Sequence, residues 1–423
     1  MRLIHLRGRA GLRARVLITA FFVFDGLVFA NWIVRVPDIK AQVGASAGSL
    51  GLALLGVSAG AVLTMSVTGR LCRIFGAERM SVVMAITLSL AVMLPALARS
   101  VPMLAATLFV FGIGYGGLNV AMNSVAVDVI AAVGRPIMPG FHAAYSLGGL
   151  LGAVTGGAIA SALSPAWHLS LVGVLGLVVT ALLAPGLLRA RGDIRHSEVV
   201  VAEPPGGSLQ PVVLLFGVIA LCTAYGEGAL ADWGALHLRN DLHTNAGTAA
   251  VGYASFSVAM LVGRLSGTWT TTRLGQTRLL AIGGLTAGCG MLLAALAPEL
   301  PLTVAGFGLV GLGLANVFPA AVGEAGALGG AQGVAMASTI GYGGFLAGPP
   351  LIGFLADSTS LPIALTSIAV LAGGAAVMAL VAARVVGGRP DPLATRRAPA
   401  TSSAALAGKA AAREAAEPDV ARR

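Results

Sequence analysis

The sequence predicts an all-α membrane protein of twelve transmembrane helices in two parallel six-helix repeats. Three observations predict it. Apolar residues make up 57% of the 423 and charged residues only 10%, against about 25% charged in an ordinary soluble domain. The apolar residues fall into twelve runs, each long enough for the roughly 20-residue helix that crosses a bilayer. Residue patterns in the first six runs recur in the last six.

Charges, prolines and small polar clusters bound the runs at about 16–35, 47–68, 79–98, 102–127, 138–163 and 167–188, then 211–237, 247–269, 278–297, 301–323, 333–356 and 361–384. Barrel strands are about 10 residues long and alternate apolar with polar, which these runs do not. The first run is longer than the core of a signal peptide and contains Asp25, so it reads as an uncleaved helix after a cytoplasmic segment, residues 1–15. Two six-helix bundles are expected at 16–188 and 211–385. The polar, Pro- and Gly-containing stretch 189–210 reads as a cytoplasmic linker, and 386–423, without a sustained apolar face, as a disordered cytoplasmic tail.

Lys and Arg number 27 and Asp and Glu 17, a formal charge of +10. The basic residues sit at the ends of apolar runs and in the tails, not clustered on one surface as nucleic acid requires. With both termini inside, 22 fall on the cytoplasmic side and four, Arg35, Lys40, Arg99 and Arg239, outside; Arg264 lies within a run. Positive loops stay in the cytoplasm, which fixes the orientation and predicts a multi-pass protein of a bacterial inner membrane. Cys72, Cys222 and Cys289 are too dispersed for a disulfide framework or a zinc site. No cofactor or metal is expected. The expected partners are the lipid bilayer, a small-molecule substrate and protons, with the chain a monomer.

The repeat is carried by specific residues. Asp25-Gly26 and Ala30-Asn31-Trp32 in run one match Glu227-Gly228 and Ala231-Asp232-Trp233 in run seven. Gly69-Arg70-Leu71 matches Gly263-Arg264-Leu265 at an offset of 194. Gly114/Gly311, Gly116/Gly313, Asn119/Asn316, Tyr145/Tyr342 and Gly156/Gly353 share an offset of 197. Two parallel six-span repeats of this kind, together with the loop Gly69 to Arg79, resemble the major facilitator superfamily. The loop is similar to that family's Gly-x-Leu-x-Asp-x-x-Gly-Arg signature through Gly69, Arg70, Gly76 and Arg79. Arg73 stands where the family has its acid, a departure that bears on the charge interaction latching the cytoplasmic side. Phe141 to Gly148, Glu227 to Trp233 and Gly348-Pro349-Pro350 resemble a bacterial branch related to fucose permeases. The resemblance implies a secondary active transporter of a small polar, sugar-like or metabolite solute, working by alternating access and coupled to protons.

Asp25 and Glu227 fall inside runs, where an ionised side chain costs about 2.5–3.5 kcal/mol. Each therefore faces a wet cavity, carries a proton, or is locked to a neighbouring helix. Both are coupling candidates, with His142, whose ordinary pKa near 6.5 suits proton handling. Tyr115, Asn119 and Asn123 recur every four residues, one polar stripe on an apolar helix, and Tyr145 and Ser146 share the start of run five with His142. With Asn31, Trp32, Arg35, Asp232, Trp233, Asn316 and Tyr342 they form the candidate substrate cavity; Trp32 and Trp233 equally suit an interfacial aromatic belt. Gly148, Gly152 and Gly156 give the small-xxx-small spacing of close helix contacts, with Gly152 expected between runs five and eight or their equivalents. Gly112 to Gly117 matches a dinucleotide fingerprint formally but lacks the preceding strand and following acid. Without a Walker A lysine, an HExxH or a nucleophile elbow, the chain does not read as an enzyme. An efflux antiporter and a non-transporting solute sensor of the same fold remain alternatives.

Overall fold

A computed structural model describes residues 2–133, 137–194 and 210–386, and among these it contains helices and no strand. The helices are α1 (Arg2–Val43), α2 (Ala47–Phe75), α3 (Ala77–Ala91), α4 (Val101–Val133), α5 (Met138–Ala160), α6 (Pro165–Ile194), α7 (Gln210–Asn240), α8 (Ala246–Leu274), α9 (Gln276–Leu296), α10 (Leu300–Leu314), α11 (Val317–Ser358) and α12 (Leu361–Val386). Among the described residues, twelve spans are long and apolar enough to cross a membrane. Compact packing extends to Leu380; of the unit beginning at Val381, the described part is the end of α12. Residues 189–194 of the expected linker continue α6 and Gln210 begins α7, so the linker is shorter than expected; 195–209 and the tail after Val386 lie outside the described residues.

Several spans run beyond the expected cuts, two of them for identifiable reasons. The first runs from Arg13 to Val43, past Arg35, because the charges of Arg35 and Asp38 pair within the helix at 2.8 Å. The tenth is interrupted at Asn316, whose Nδ2 donates to Gly263 O of α8 at 2.7 Å. Its second half continues into α11, which doubles back where a Cβ on Gly333 would collide with Ala325 O. The tenth and eleventh spans are then Leu300–Gly329 and Met336–Ser358.

The helix ends reproduce the repeat. Ser46 Oγ accepts from Ser49 N at the start of α2, and Asn245 Oδ1 from Thr248 N at the start of α8, each satisfying an orphan donor of the first turn. Gly76 (φ 97°) and Gly275 (φ 76°) end these helices in a conformation that disfavours any side chain. Both helices have 29 residues and begin 199 positions apart, at 47 and 246. Helix packing obeys the same offset. Added Cβ atoms on Gly112 and Gly311 would collide with Val57 O and Phe256 O, and on Gly114 and Gly313 would lie 2.7 Å from Leu88 N and 2.5 Å from Ala287 N.

The offset of 197 for α4 and α10 is thus two residues short. Gly-Arg-Leu is no equivalence either: Arg70 lies five residues before the end of α2, Arg264 ten before the end of α8. In α5 and α11, Gly157 packs on Gly247 and Ala250 of α8 where Gly353 packs on Ala47 and Gly48 of α2, an offset of 196. Gly148 then corresponds to Gly344; they approach Val23 O and Leu221 O, pairing α1 with α7 at 198. Thr223, not Glu227, occupies the place equivalent to Asp25, and Glu227 sits about one helical turn farther along.

Between the repeats, α5 packs on α8, α2 on α11, and α1 on α7. Short connections make successive helices antiparallel, which gathers the α1–α2, α5–α6, α7–α8 and α11–α12 connections at one end. The close contacts across both seams lie toward that end: Gly51 against Pro349 O (2.5 Å from an added Cβ), Gly157 against Ala250 Cβ (2.6 Å), and Ser58 Oγ donating to Phe345 O at 3.0 Å. Toward the other end of these helices Gly69 and Gly140 have nothing within 4 Å of an added Cβ.

Candidate functional site

The sequence-predicted polar residues separate into a central cluster and a fastening at the closed end. At the centre, Arg264 of α8 reaches across the seam. Its Nη1 donates to Ser146 Oγ at 2.6 Å and to His142 O at 3.4 Å, both on α5, and its Nη2 lies 3.3 Å from Glu227 Oε1 on α7. Arg264 and Glu227 remain 15% and 24% exposed, so the pair is long, touches through one carboxylate oxygen and is partly open. His142 contributes its carbonyl; its ring lies edge-on to Phe22 at 5.7 Å. Tyr115 and Tyr145 share a hydroxyl hydrogen bond of 2.9 Å, and Phe29 stacks on Tyr115 at 4.9 Å. Asp25 is fully buried and neither of its carboxyl oxygens has a hydrogen-bond partner among the described residues. Tyr342 sits farther along, between Phe318 and Phe345.

Several candidates fall elsewhere. Asn123 Nδ2 donates to Asn119 O at 2.8 Å, so the α4 stripe closes partly on itself. Trp32 and Trp233 are both fully buried, Trp32 tilted against Phe111 at 6.1 Å, so neither forms an exposed interfacial belt. Trp233 Nε1 has no partner among the described residues, and Asp232 beside it is half-buried. In the α2–α3 turn, Arg70, Arg73 and Arg79 are exposed and Gly76 is buried. Gly152 packs on α1 rather than α8, with an added Cβ 2.5 Å from Leu27 O.

Asn31 and Arg35 belong to the closed end. Arg35 Nε donates to His168 Nδ1 at 2.7 Å, which leaves the ring proton on Nε2, donating to Asn31 Oδ1 at 2.7 Å. Arg35 also donates to Ala160 O, Leu163 O and Asp38 Oδ2. The other oxygen of Asp38 accepts from Arg239 Nη1 of α7 at 2.6 Å, which joins the repeats. A second carboxylate does the same: Asp357 at the end of α11 accepts from Ser46 Oγ (2.8 Å), Ala47 N (3.0 Å) and Gly48 N (2.7 Å) at the start of α2.

Sequence reasoning missed Arg264, His168, Asp38, Arg239 and Asp357. Arg264 carried a signal, as the one Lys or Arg left inside a predicted span once the loops were counted. The other four sit at span ends, where charge is unremarkable. No group of three or more His, Cys, Asp or Glu that could hold a metal ion occurs among the described residues.

A family model described as Major Facilitator Superfamily matches residues 17–226. An "uncharacterized MFS-type transporter" of Yersinia pestis is 34% identical over 83% of this chain and 91% of its own length. The chain belongs to the major facilitator superfamily. The "uncharacterized transporter y4wD" of Sinorhizobium fredii is 36% identical, over 69% of this chain and 76% of its own. "Membrane protein MosC" of Rhizobium meliloti is 32% identical over 90% and 93%. Solved crystal structures also resemble it in fold. One is a bacterial homologue of the human lysosomal transporter Spinster, inward-facing and occupied, with TM-score 0.66, 15% identity and coverage of 89% of this chain and 98% of that one. The other is the nucleoside transporter NupG, with TM-score 0.65, 12% identity and coverage of 88% and 98%. At these identities the likeness is one of fold.

Proposed function

We propose that the protein is a secondary active transporter that carries a small polar solute across the bacterial inner membrane, coupled to protons. The two six-helix bundles, 16–188 and 211–385, alternate access to a site between them. The observation that carries this reading is the Glu227–Arg264–Ser146 cluster, which places a partly open ion pair between the repeats, inward of close-packed seams. Such a pair is costly inside a bilayer unless it serves a hydrated, changing environment. The 22-to-4 bias of basic residues puts the closed end outside and both termini in the cytoplasm.

Glu227 is the coupling carboxyl in this reading. Its proton exchanges with whichever side the cavity faces, and its two forms favour different states. Asp25, buried without a hydrogen-bond partner among the described residues, is the second carboxyl of the pathway. The central hydroxyls of Tyr115, Tyr145 and Ser146 supply polar contacts to the solute. The test is uptake by proteoliposomes driven by a pH gradient, beside counterflow without one. Glu227→Gln abolishes accumulation and retains counterflow; full accumulation by the Glu227→Gln/Asp25→Asn double variant removes both as coupling groups. Solute movement outward against its gradient would make the same site that of an efflux antiporter, and binding without flux would make it a sensor.

A further inference from the structure

We infer that Arg264 is the receptor for the carboxylate of a small organic anion, and that Glu227 and the solute compete for it. The inference rests on the transport reading above and names its substrate class. Arg264 is the cation that the central cluster offers, and its guanidinium is not saturated by Glu227. One carboxylate oxygen approaches one nitrogen at 3.3 Å, whereas a carboxylate seated on arginine forms two parallel bonds at about 2.7–2.9 Å. Ser146 Oγ and the His142 carbonyl hold the other side of the guanidinium at 2.6 and 3.4 Å, leaving the Nη2 side to whichever carboxylate is present.

Charge balance then dictates the exchange. With Glu227 ionised, the cluster is neutral and closed to an anion, since a second carboxylate on Arg264 would meet the first at close range. When Glu227 takes a proton from water it releases Arg264, and the site becomes a buried cation that needs an anionic partner. A monocarboxylate restores neutrality. One proton and one monoanion thus occupy the site together and cross without net charge, and on release Glu227 loses its proton and retakes Arg264. Around Glu227, Tyr253 from α8, Tyr342 from α11 and Tyr115 from α4 lie within its electrostatic reach, and His142 on α5 meets Arg264 through its backbone carbonyl. The other carboxyls, Asp25 on α1 and Asp232 on α7 itself, add no cation. Arg264 is therefore the centre that attracts an anion and Glu227 the group that must be neutralised first.

The experiment is a thermal-shift titration of the purified full chain with small monocarboxylates (acetate, lactate, pyruvate, gluconate) and neutral counterparts (acetamide, glycerol, glucose) at pH 5.5, 6.5 and 7.5. A carboxylate is expected to stabilise the wild type, its apparent affinity falling about tenfold per pH unit while Glu227 is ionised, as one-proton linkage requires. Glu227→Gln should bind that carboxylate at all three values with no pH dependence, and Arg264→Gln should not respond. Stabilisation by a neutral solute matching its carboxylate, no response to any carboxylate, or unaltered pH dependence in Glu227→Gln overturns the inference. The Glu227→Gln arm decides even where Arg264→Gln fails to fold. In reconstituted vesicles, a carboxylate that binds but does not cross removes the transport reading and leaves this site. A neutral solute carried equally by wild type and Arg264→Gln removes this inference and leaves transport.

Discussion

Breaking the Asp38–Arg239 pair should open the closed end, by an amount that the geometry bounds. The contact is 2.6 Å between side chains that are 21% and 29% exposed. A hydrogen bond between charged groups contributes about 1.5–3 kcal/mol, and the partial exposure brings this to about 1–2 kcal/mol. Arg239 is on α7 and Asp38 on α1, so that stabilisation belongs to the closed state and is lost when the repeats part at this end. Arg239→Gln should therefore raise the open fraction about 5- to 30-fold. The readout is thiol labelling at Ala250→Cys, a position 3% exposed that faces Gly157 across the α5–α8 seam. Cys289 is exposed and is replaced by Ser for this purpose; Cys72 and Cys222 are buried. Labelling by an impermeant maleimide tracks the open population when opening is fast relative to reaction. A cycle with Asp38→Asn separates the pair from the remaining contacts of Asp38 with Arg35. A rate unchanged within twofold in Arg239→Gln would show that the seam is held by packing alone.

Three other outcomes are expected. Gly152→Leu places a branched side chain where a first carbon already lies 2.5 Å from Leu27 O and 2.8 Å from Ala30 Cβ. It should cost about 1–3 kcal/mol or more, read as lower melting temperature and yield; wild-type values would place Gly152 in open space. His168→Ala removes the acceptor of Arg35 Nε and the donor to Asn31, leaving buried polar groups at a cost of about 1–3 kcal/mol; a melting temperature unchanged from wild type argues against the relay. Val200→Cys should react with impermeant thiol reagents only in opened cells, and labelling of intact spheroplasts reverses the orientation.

The number of spans and the doubling of the fold were legible because they depend on composition and length, which burial in lipid constrains strongly. Register within the repeat was not, for a physical reason visible in α4. Gly112, Gly114 and Gly116 alternate with larger residues, and Gly311 and Gly313 do the same, so a slip of two matches by identity as well as the true alignment does. Only the neighbours decide it, through the carbonyls of Val57 and Phe256. The Asp25/Glu227 match failed by about one helical turn, the slip that keeps a residue on the same face and is hardest to detect from spacing. Asp25, Glu227, Tyr115, Tyr145 and Ser146 were recognisable as polar groups in apolar helices. Arg264, the partner of Glu227 and Ser146, stood out only as the one basic residue left inside a run, and a cation near a predicted helix end is ordinarily an anchor. Asn316 carried the same polar signal yet serves a helix break, since an amide reads alike whether it meets solute or backbone.

The cap of α2 is partly borrowed. Its first-turn N–H groups at Ala47 and Gly48 bond to Asp357, which stands on α11, 309 or more positions away in the chain. These groups lie near the surface, where water can replace the carboxylate as soon as it withdraws. Arg35 differs: 1% exposed, it keeps its ligands on its own side of the seam. The two fastenings thus divide their labour like a hinge pin and a hook. In the proposed cycle the inner one keeps its half rigid, while the outer one releases into solvent and re-forms without either helix having to unwind.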